Sequence, residues 1–250
     1  MIYGLYNSAA GMMVNEYRQA VLANNLANAE TTGFKRDIAV FSERQPASVA
    51  GVRHGPSARD MQGLSGGLWL GKTFTDHSEA SKIQTDNPLD VALEGPGFLS
   101  VDVDGQPQYT RDGRLMMDLD GRLVSVTDGA PVRGRGGSPI VLNPRGSQPS
   151  IDTDGRVTQD GQVVAELELV DFADYAALQK AGDNRLIGPE DSAVPSPAYV
   201  HAGYIESSGA QPMNELVSMI EASRSYQMNA QMVSLQDQTI GRLISVITRT

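Results

Sequence analysis

The sequence of this chain lacks cysteine altogether, and it contains no apolar run long enough to cross a lipid bilayer. The first absence excludes disulfide bonds and thiolate metal sites, and the second argues against membrane insertion. The N-terminus has no basic start followed by an apolar stretch, so we expect no cleaved signal peptide.

Basic residues are scarce: 20 Lys and Arg stand against 30 Asp and Glu, which gives a formal net charge of −10. Binding to nucleic acid needs a basic face that neutralises phosphates, so we expect no nucleic-acid partner. The acidic excess lies in the middle, because residues 1–28 and 211–250 each carry as many basic as acidic side chains. This distribution predicts ends that pack against protein and a middle that faces solvent.

A repeated Asp-Gly dipeptide marks the middle of the chain. Four copies are spaced by eight residues, and they begin at Asp104, Asp112, Asp120 and Asp128. Asp-Gly favours the positive φ angles of tight hairpin turns, and the flanking segments are rich in Val and Leu. The pattern predicts an antiparallel β domain built of meanders over residues 88–205, interrupted by a short helix over residues 172–181.

The N-terminal segment predicts a helix that ends in an Asn-rich block at residues 23–35. Leu5, Met12 and Leu26 fall seven or fourteen residues apart, which is the spacing of a heptad seam. Inside the block, Asn side chains can bond to nearby backbone and Gly33 can supply a left-handed exit. Both features favour a helix end within the block.

The C-terminal segment predicts a second, longer helix that begins near Pro212, because proline is favoured in the first turn. One apolar row repeats every seven residues, and it consists of Met219, Tyr226, Val233, Ile240 and Ile247. A weaker companion row begins at Leu216. The fold class is therefore mainly β with long terminal helices. We expect four parts, namely an N-terminal assembly helix over 1–35, an extended connection with short strands over 36–87, the β domain over 88–205 and a C-terminal assembly helix over 206–250.

Motifs that resemble catalytic or metal sites do not have the context that their chemistry needs. Residues 63–67 match the G-x-S-x-G pattern, but the strand and helix that a nucleophile elbow requires are not predicted around them. The three His residues lie far apart, and the paired Asp residues lack the ligand series of a calcium loop. We therefore expect no enzyme, no metal and no cofactor.

Residues 23–35 read Ala-Asn-Asn-Leu-Ala-Asn-Ala-Glu-Thr-Thr-Gly-Phe-Lys, and this wording resembles a signature of bacterial flagellar axial proteins, the rod and hook subunits. Three more segments resemble the same family in the same order, namely residues 87–99, 109–113 and 215–226. Together they span both ends and the middle of the chain. The chain therefore resembles a flagellar basal-body rod protein.

The resemblance implies a structural protein without catalysis, which passes through the flagellar export apparatus and assembles in the periplasm with other rod subunits. It also implies that the terminal helices pair as a coiled coil on assembly and build the inner tube of the rod, with the β domain outside that tube. The implied assembly interface consists of Leu5, Met12, Leu22, Asn24, Asn25, Leu26, Asn28, Gly33, Phe34, Leu216, Met219, Tyr226, Val233, Ile240 and Ile247.

The chain is most similar to the proximal-rod F subunit, through its length of 250 residues and the segments 18–26 and 131–140. The C-terminal helix is more similar to the distal-rod G subunit. Before that helix, residues 208–211 read Ser-Gly-Ala-Gln, which departs from the Ser-Asn-x-Asn turn of the family. An alternative from another class is a secreted acidic β-rich binding protein or polysaccharide-active enzyme.

Overall fold

The computed structural model describes residues 2–43 and 67–247. The chain divides into two compact units. The helical unit comprises Met1–Ala27, Asp37–Phe74 and Gln211–Thr250, and the β unit comprises Asn28–Arg36 and Thr75–Ala210.

The helical unit contains both long helices. Helix α1 spans Ile2–Ala27 and helix α2 spans Pro212–Ile247, while β1 (Asp37–Glu43) and β2 (Leu68–Thr75) form a two-stranded sheet. The predicted terminal helices and the start of the second one at Pro212 are confirmed. Helix α1 ends inside the Asn-rich block but six residues before Gly33, so the prediction that this glycine forms the helix exit is wrong.

The β unit contains the other strands, and all their pairings are antiparallel. In chain order they are β3 (Lys82–Gln84), β4 (Val91–Glu94), β5 (Phe98–Val103), β6 (Gln106–Thr110), β7 (Leu115–Met117), β8 (Leu123–Ser125), β9 (Ser150–Ile151), β10 (Arg156–Gln159), β11 (Gln162–Glu166), β12 (Leu169–Phe172), β13 (Gln179–Gly182), β14 (Arg185–Ile187), β15 (Ala193–Pro195), β16 (Tyr199–Ala202) and β17 (Tyr204–Glu206).

The strand order confirms an antiparallel domain but not one made only of meanders. Strands β9, β10 and β11 do form a meander, whereas the six-stranded sheet has the order β13-β14-β6-β5-β12-β15. In that sheet β12 pairs with β5, which sets Val170 beside Phe98. A chain of neighbouring hairpins cannot make this pairing, since the two strands are separated by more than sixty residues.

Strand β5 lies between two hydrophobic clusters because successive side chains of a strand point to opposite faces. Phe98 packs with Tyr109, Phe172 and Leu186 on one side. Leu99 belongs to the larger cluster on the other side, together with residues from β4, β7, β8 and β10. With both faces buried, β5 is a central element of the β unit.

The Asp-Gly dipeptides do not all form the same structure. Asp104–Gly105 and Asp160–Gly161 have positive φ at both residues and join β5 to β6 and β10 to β11, as hairpin turns do. Asp112–Gly113 has no positive φ and connects β6 to β7 without a tight turn.

The helix predicted over residues 172–181 is also wrong. Only a 3-10 turn forms there, Tyr175–Ala177, because the chain then enters strand β13 and returns through a hairpin turn with positive φ at Asp183 and Asn184. Pairing with β14 outweighs the helix propensity of this short segment.

Candidate functional site: the terminal helix pair

Helices α1 and α2 pack against each other in antiparallel orientation within the helical unit. A Cβ atom at Gly4 would lie 2.7 Å from Gln236 Nε2, and one at Gly11 would lie 2.8 Å from Asn229 Nδ2. Farther along, Asn25 Nδ2 lies 3.4 Å from Glu215 Oε2. The two residue numbers of each pair add up to 240, so one register holds along the whole pair.

The centre of this interface is small and polar. Residues 4, 11 and 25 of α1 and residues 215, 229 and 236 of α2 are separated by multiples of seven, which is the period of a coiled-coil seam. On α2 this row has one more position, between residues 215 and 229. Ala222 occupies that position and is fully buried. Glycine on α1 allows the close approach that the polar side chains of α2 then fill.

The apolar residues predicted as the seam flank this centre. Those that are half-buried are Leu5, Met12, Leu22, Leu26, Met219, Tyr226, Val233 and Ile240. Leu216 is exposed, and the side chain of Ile247 lies outside the described residues. The structure therefore brings most of the predicted rows to the helix pair, beside its centre and not at it. Contacts with another subunit stay a prediction for all of them.

Asn25 is a junction between three elements of the helical unit. Its Oδ1 accepts the N–H of Asp37 at 2.9 Å and its Nδ2 donates to the carbonyl of Asp37 at 2.8 Å, which ties the end of α1 to the start of β1. Its contact with Glu215 reaches the first turn of α2. The neighbouring Asn24 is exposed.

The second half of the Asn-rich block belongs to the β unit. Ser208 Oγ donates to the carbonyl of Asn28, the Gly33 N–H donates to Glu206 O and the Gly209 N–H donates to Phe34 O, each at 2.8 Å. Gly33 has φ +66°, and a Cβ atom there would lie 2.4 Å from the Arg111 carbonyl. In this structure the three predicted residues Asn28, Gly33 and Phe34 therefore anchor the segment that follows α1.

Lys35, the last residue of the block, takes part in a buried ion cluster that the sequence patterns did not predict. Its Nζ lies 2.6 Å from Glu206 Oε1, and Arg111 Nη1 lies 3.3 Å from Glu206 Oε2. The three side chains are 4%, 1% and 3% exposed in the order Lys35, Glu206, Arg111. Burial lowers the pKa of Lys35, and the charge of Glu206 opposes that shift. The sequence carries no local signal for a cluster whose members are 76 to 171 residues apart.

His77 lies against the rings of Phe98 and Tyr175, and its Nδ1 is buried without a hydrogen-bond partner among the described residues. Burial first, and then the charges of Lys35, Lys180 and Arg111, lower the pKa of His77 to about 4.

We expect the β unit to lose stability as the pH falls from 6.5, the ordinary value for His, towards 4. The unfolded chain binds a proton at His77 in this range and the folded chain does not, so the thermal midpoint should be lower at about pH 5 than at about pH 7. The substitution His77→Phe should reduce that difference. An unchanged difference in the His77 variant would contradict the assignment.

The side of α2 directed away from α1 carries a line of apolar side chains that we call the outward stripe. Its members are between 49% and 72% exposed and comprise Met213, Val217, Ile220, Met228, Met232 and Leu235. Their successive separations of three, four or eight residues keep them on one side of a straight helix. None of them belongs to the two heptad rows predicted for α2, so the sequence pattern did not indicate this stripe. On α1, Tyr6 and Met13 are similarly exposed.

The described residues contain no group of three or more His, Cys, Asp or Glu side chains placed to hold a metal ion. Of the paired Asp residues, Asp102 and Asp118 accept backbone N–H bonds inside turns, which is the turn chemistry expected of them. The G-x-S-x-G match and His54 lie outside the described residues. In the part of the chain described, neither long helix is apolar enough to span a membrane.

Three family models match successive parts of the chain. Residues 5–35 match the flagella basal body rod protein family, residues 92–159 match the flagellar hook protein FlgE/F/G D1 domain, and residues 201–246 match the flagellar basal body rod FlgEFG protein C-terminal family. The first contains most of α1, the last contains nearly all of α2, and the middle one lies within the β unit.

Whole proteins with the same names are similar over nearly the full length. Flagellar basal-body rod protein FlgG of Buchnera aphidicola is 31% identical over 266 residues, covering 97% of this chain and 99% of the relative. FlgF of Caulobacter vibrioides is 34% identical over 233 residues, covering 92% and 91%. FlgG of Bacillus subtilis is 29% identical over 268 residues, covering 98% and 99%.

Proposed function

Because the chain belongs to the flagellar basal-body rod protein family, we propose that it is the F-type subunit of the proximal rod. In this role it is a structural protein that polymerises through its terminal helices. The single observation that carries the mode of assembly is the outward stripe. A helix face of this kind is costly to leave in water, since burying each large apolar side chain is worth about 1.5–3 kcal/mol.

The occupant that we propose for the outward stripe is another rod subunit, beginning with a second copy of this chain. Helix α1 already packs on a different side of α2, through a polar centre. The face left open carries large exposed apolar side chains, a feature that marks surfaces which pack on protein. The charged residues Glu221, Arg224 and Arg242 lie on the same side of the helix. A contact between different surfaces of successive copies forms an open helical filament when its rotation does not close a ring, and a rod is such a filament.

The F assignment is supported by the length of the chain and by segments 18–26 and 131–140. The G assignment, the alternative, is supported by the C-terminal helix and by FlgG relatives that match almost end to end. Basal bodies from a strain lacking the chain distinguish them in electron micrographs. We expect no rod beyond the export gate for an F subunit, and a short proximal rod for a G subunit. An intact rod would contradict both.

The proposal includes the route and place of assembly. The chain leaves the cell through the flagellar export apparatus and joins neighbouring rod subunits in the periplasm. We propose that it acts without catalysis and contributes two packed parts to the rod. These are the helix pair and a β unit that ion pairs and hydrophobic clusters stabilise. The secreted binding protein or polysaccharide-active enzyme has no observation in its favour.

The outward stripe can be tested by placing a carboxylate in it. We expect Met228→Glu combined with Leu235→Glu to abolish rod assembly and motility, because two charges would have to be buried between subunits. The matched control is Gln227→Glu with Ser234→Glu, at exposed polar positions of the same helix. Circular dichroism of the purified chain should be the same for both. Normal rods in the stripe variant would refute the proposed mode of assembly.

A further inference from the structure

The terminal helix pair has an unusual centre for a coiled-coil contact, since it contains two glycines, an alanine and polar side chains. Apolar seams stabilise such pairs but tolerate a slip by one heptad, whereas a single buried polar contact can specify the register at a cost in stability. The paired positions that involve glycine contribute close packing and no side chain from α1. A directional contact appears where Asn25 meets Glu215.

The amide of Asn25 is held in one orientation before it meets α2. Its oxygen and one of its two N–H groups are occupied by the backbone of Asp37, at 2.9 and 2.8 Å. The second N–H group is then fixed in direction, and it points to Glu215 Oε2. Asn25 is 1% exposed, so this donor cannot turn to water instead.

Glu215 is matched to this donor from the other side. The residue is 5% exposed and lies in the first turn of α2, where the helix dipole favours a negative charge. A buried carboxylate needs a hydrogen-bond donor. A slip of α2 by seven residues in either direction would place Asn25 opposite Ala222 or opposite position 208, before α2 begins. Neither position offers a carboxylate.

We propose that the Asn25–Glu215 contact is a register lock, which fixes the axial position of α2 against α1. The outward stripe begins at Met213, two residues before Glu215, so the lock also fixes the height at which a subunit presents that stripe. This inference rests on the proposed assembly through the terminal helices. It adds positioning residues that are themselves buried within this chain.

The absence of native cysteine makes disulfide trapping a clean test. The pair Gly11→Cys with Asn229→Cys reports the observed register, since these positions face each other. The pair Gly4→Cys with Asn229→Cys reports a slip of seven residues, because seven helical residues span roughly 10 Å, beyond the reach of a disulfide. Both are measured by mild oxidation of dilute purified chain. Only the first pair should cross-link.

Adding Asn25→Leu to both pairs should release the lock. We expect the ratio of slipped to native cross-link to rise about tenfold, as loss of one charge-assisted hydrogen bond implies. Asn24→Leu, at the adjacent exposed asparagine, should leave the ratio unchanged. Glu215→Gln keeps an oxygen acceptor and should retain the native cross-link. Helix content should be the same in all variants.

Two results would overturn the register lock. One is an unchanged ratio of slipped to native cross-link in the Asn25→Leu chain. The other is no native cross-link in the Gly11→Cys, Asn229→Cys chain that retains Asn24 and Asn25. Neither outcome would contradict the proposed function, because that function is tested separately by the rod assembly and motility of the outward-stripe variant. Conversely, that variant could assemble normally and refute the proposed function while the cross-linking pattern still followed Asn25.

Discussion

Replacing Glu206 by alanine is expected to destabilise the β unit by about 3–5 kcal/mol, the usual result of removing one partner of a buried charge cluster. Lys35 and Arg111 would remain, 4% and 3% exposed, without the carboxylate that neutralises them. The Ala80 N–H, which donates to Glu206 Oε1 at 3.0 Å, would also lose its acceptor. The segment that follows α1 would then lose its main ionic anchor.

The measurement is the denaturation midpoint followed by near-ultraviolet circular dichroism, to which the tyrosines of the β unit, Tyr109, Tyr175, Tyr199 and Tyr204, contribute. Glu166→Ala is the control, since Glu166 pairs at the surface with an Arg135 that is 75% exposed. A surface pair of this kind contributes about 0–1 kcal/mol. Equal losses in the two variants would contradict the role of the cluster.

Replacing Gly113 by alanine is the second change with a large expected effect. A Cβ atom at this position would lie 1.7 Å from the Val91 carbonyl oxygen and 2.7 Å from its carbonyl carbon. The backbone cannot move apart freely, because the Val91 N–H donates to the Gly113 carbonyl at 2.9 Å and Val91 is in the larger hydrophobic cluster. We expect a loss of about 3 kcal/mol or more.

Gly105→Ala is the matched control for this substitution. Gly105 has φ +79° in the β5–β6 turn, and no atom lies within 4 Å of its Cβ direction. Alanine there suffers only the strain of the left-handed conformation, about 1–2 kcal/mol. Thermal midpoints of the two variants separate a steric clash from backbone strain. A smaller loss at Gly113 than at Gly105 would show that the strands can separate to admit the methyl group.

These two glycines also show what the Asp-Gly pattern predicts correctly and what it does not. Both follow aspartate, and the dipeptide alone predicts a hairpin turn for each. The prediction is confirmed at Gly105, because a two-residue turn depends on its own φ angles. It is wrong at Gly113, where the absence of a Cβ atom is required by a strand distant in the sequence. The same contrast appears in the helix predicted over residues 172–181, which pairing with β14 replaces by a strand.

The terminal helix pair divides in the same way. Heptad spacing located both helices, and the Asn-rich block correctly predicted where α1 ends. It did not predict that the apolar rows would flank a centre made of Gly4, Gly11 and Asn25. The sequence also did not indicate which residues of the Asn-rich block belong to the helical unit and which belong to the β unit, as Asn28, Gly33 and Phe34 do.

By itself, the sequence determined what depends on neighbouring residues: two long helices, the start of one at Pro212, tight turns at two Asp-Gly pairs, and a resemblance to flagellar rod proteins that the family matches confirm. Only the tertiary structure decided which helix face stays open, which register the helices share and which buried charges meet at Glu206. Those contacts join residues up to 232 positions apart, as at Gly4 and Gln236. No local spacing encodes them, since they follow from how the whole chain buries its surfaces.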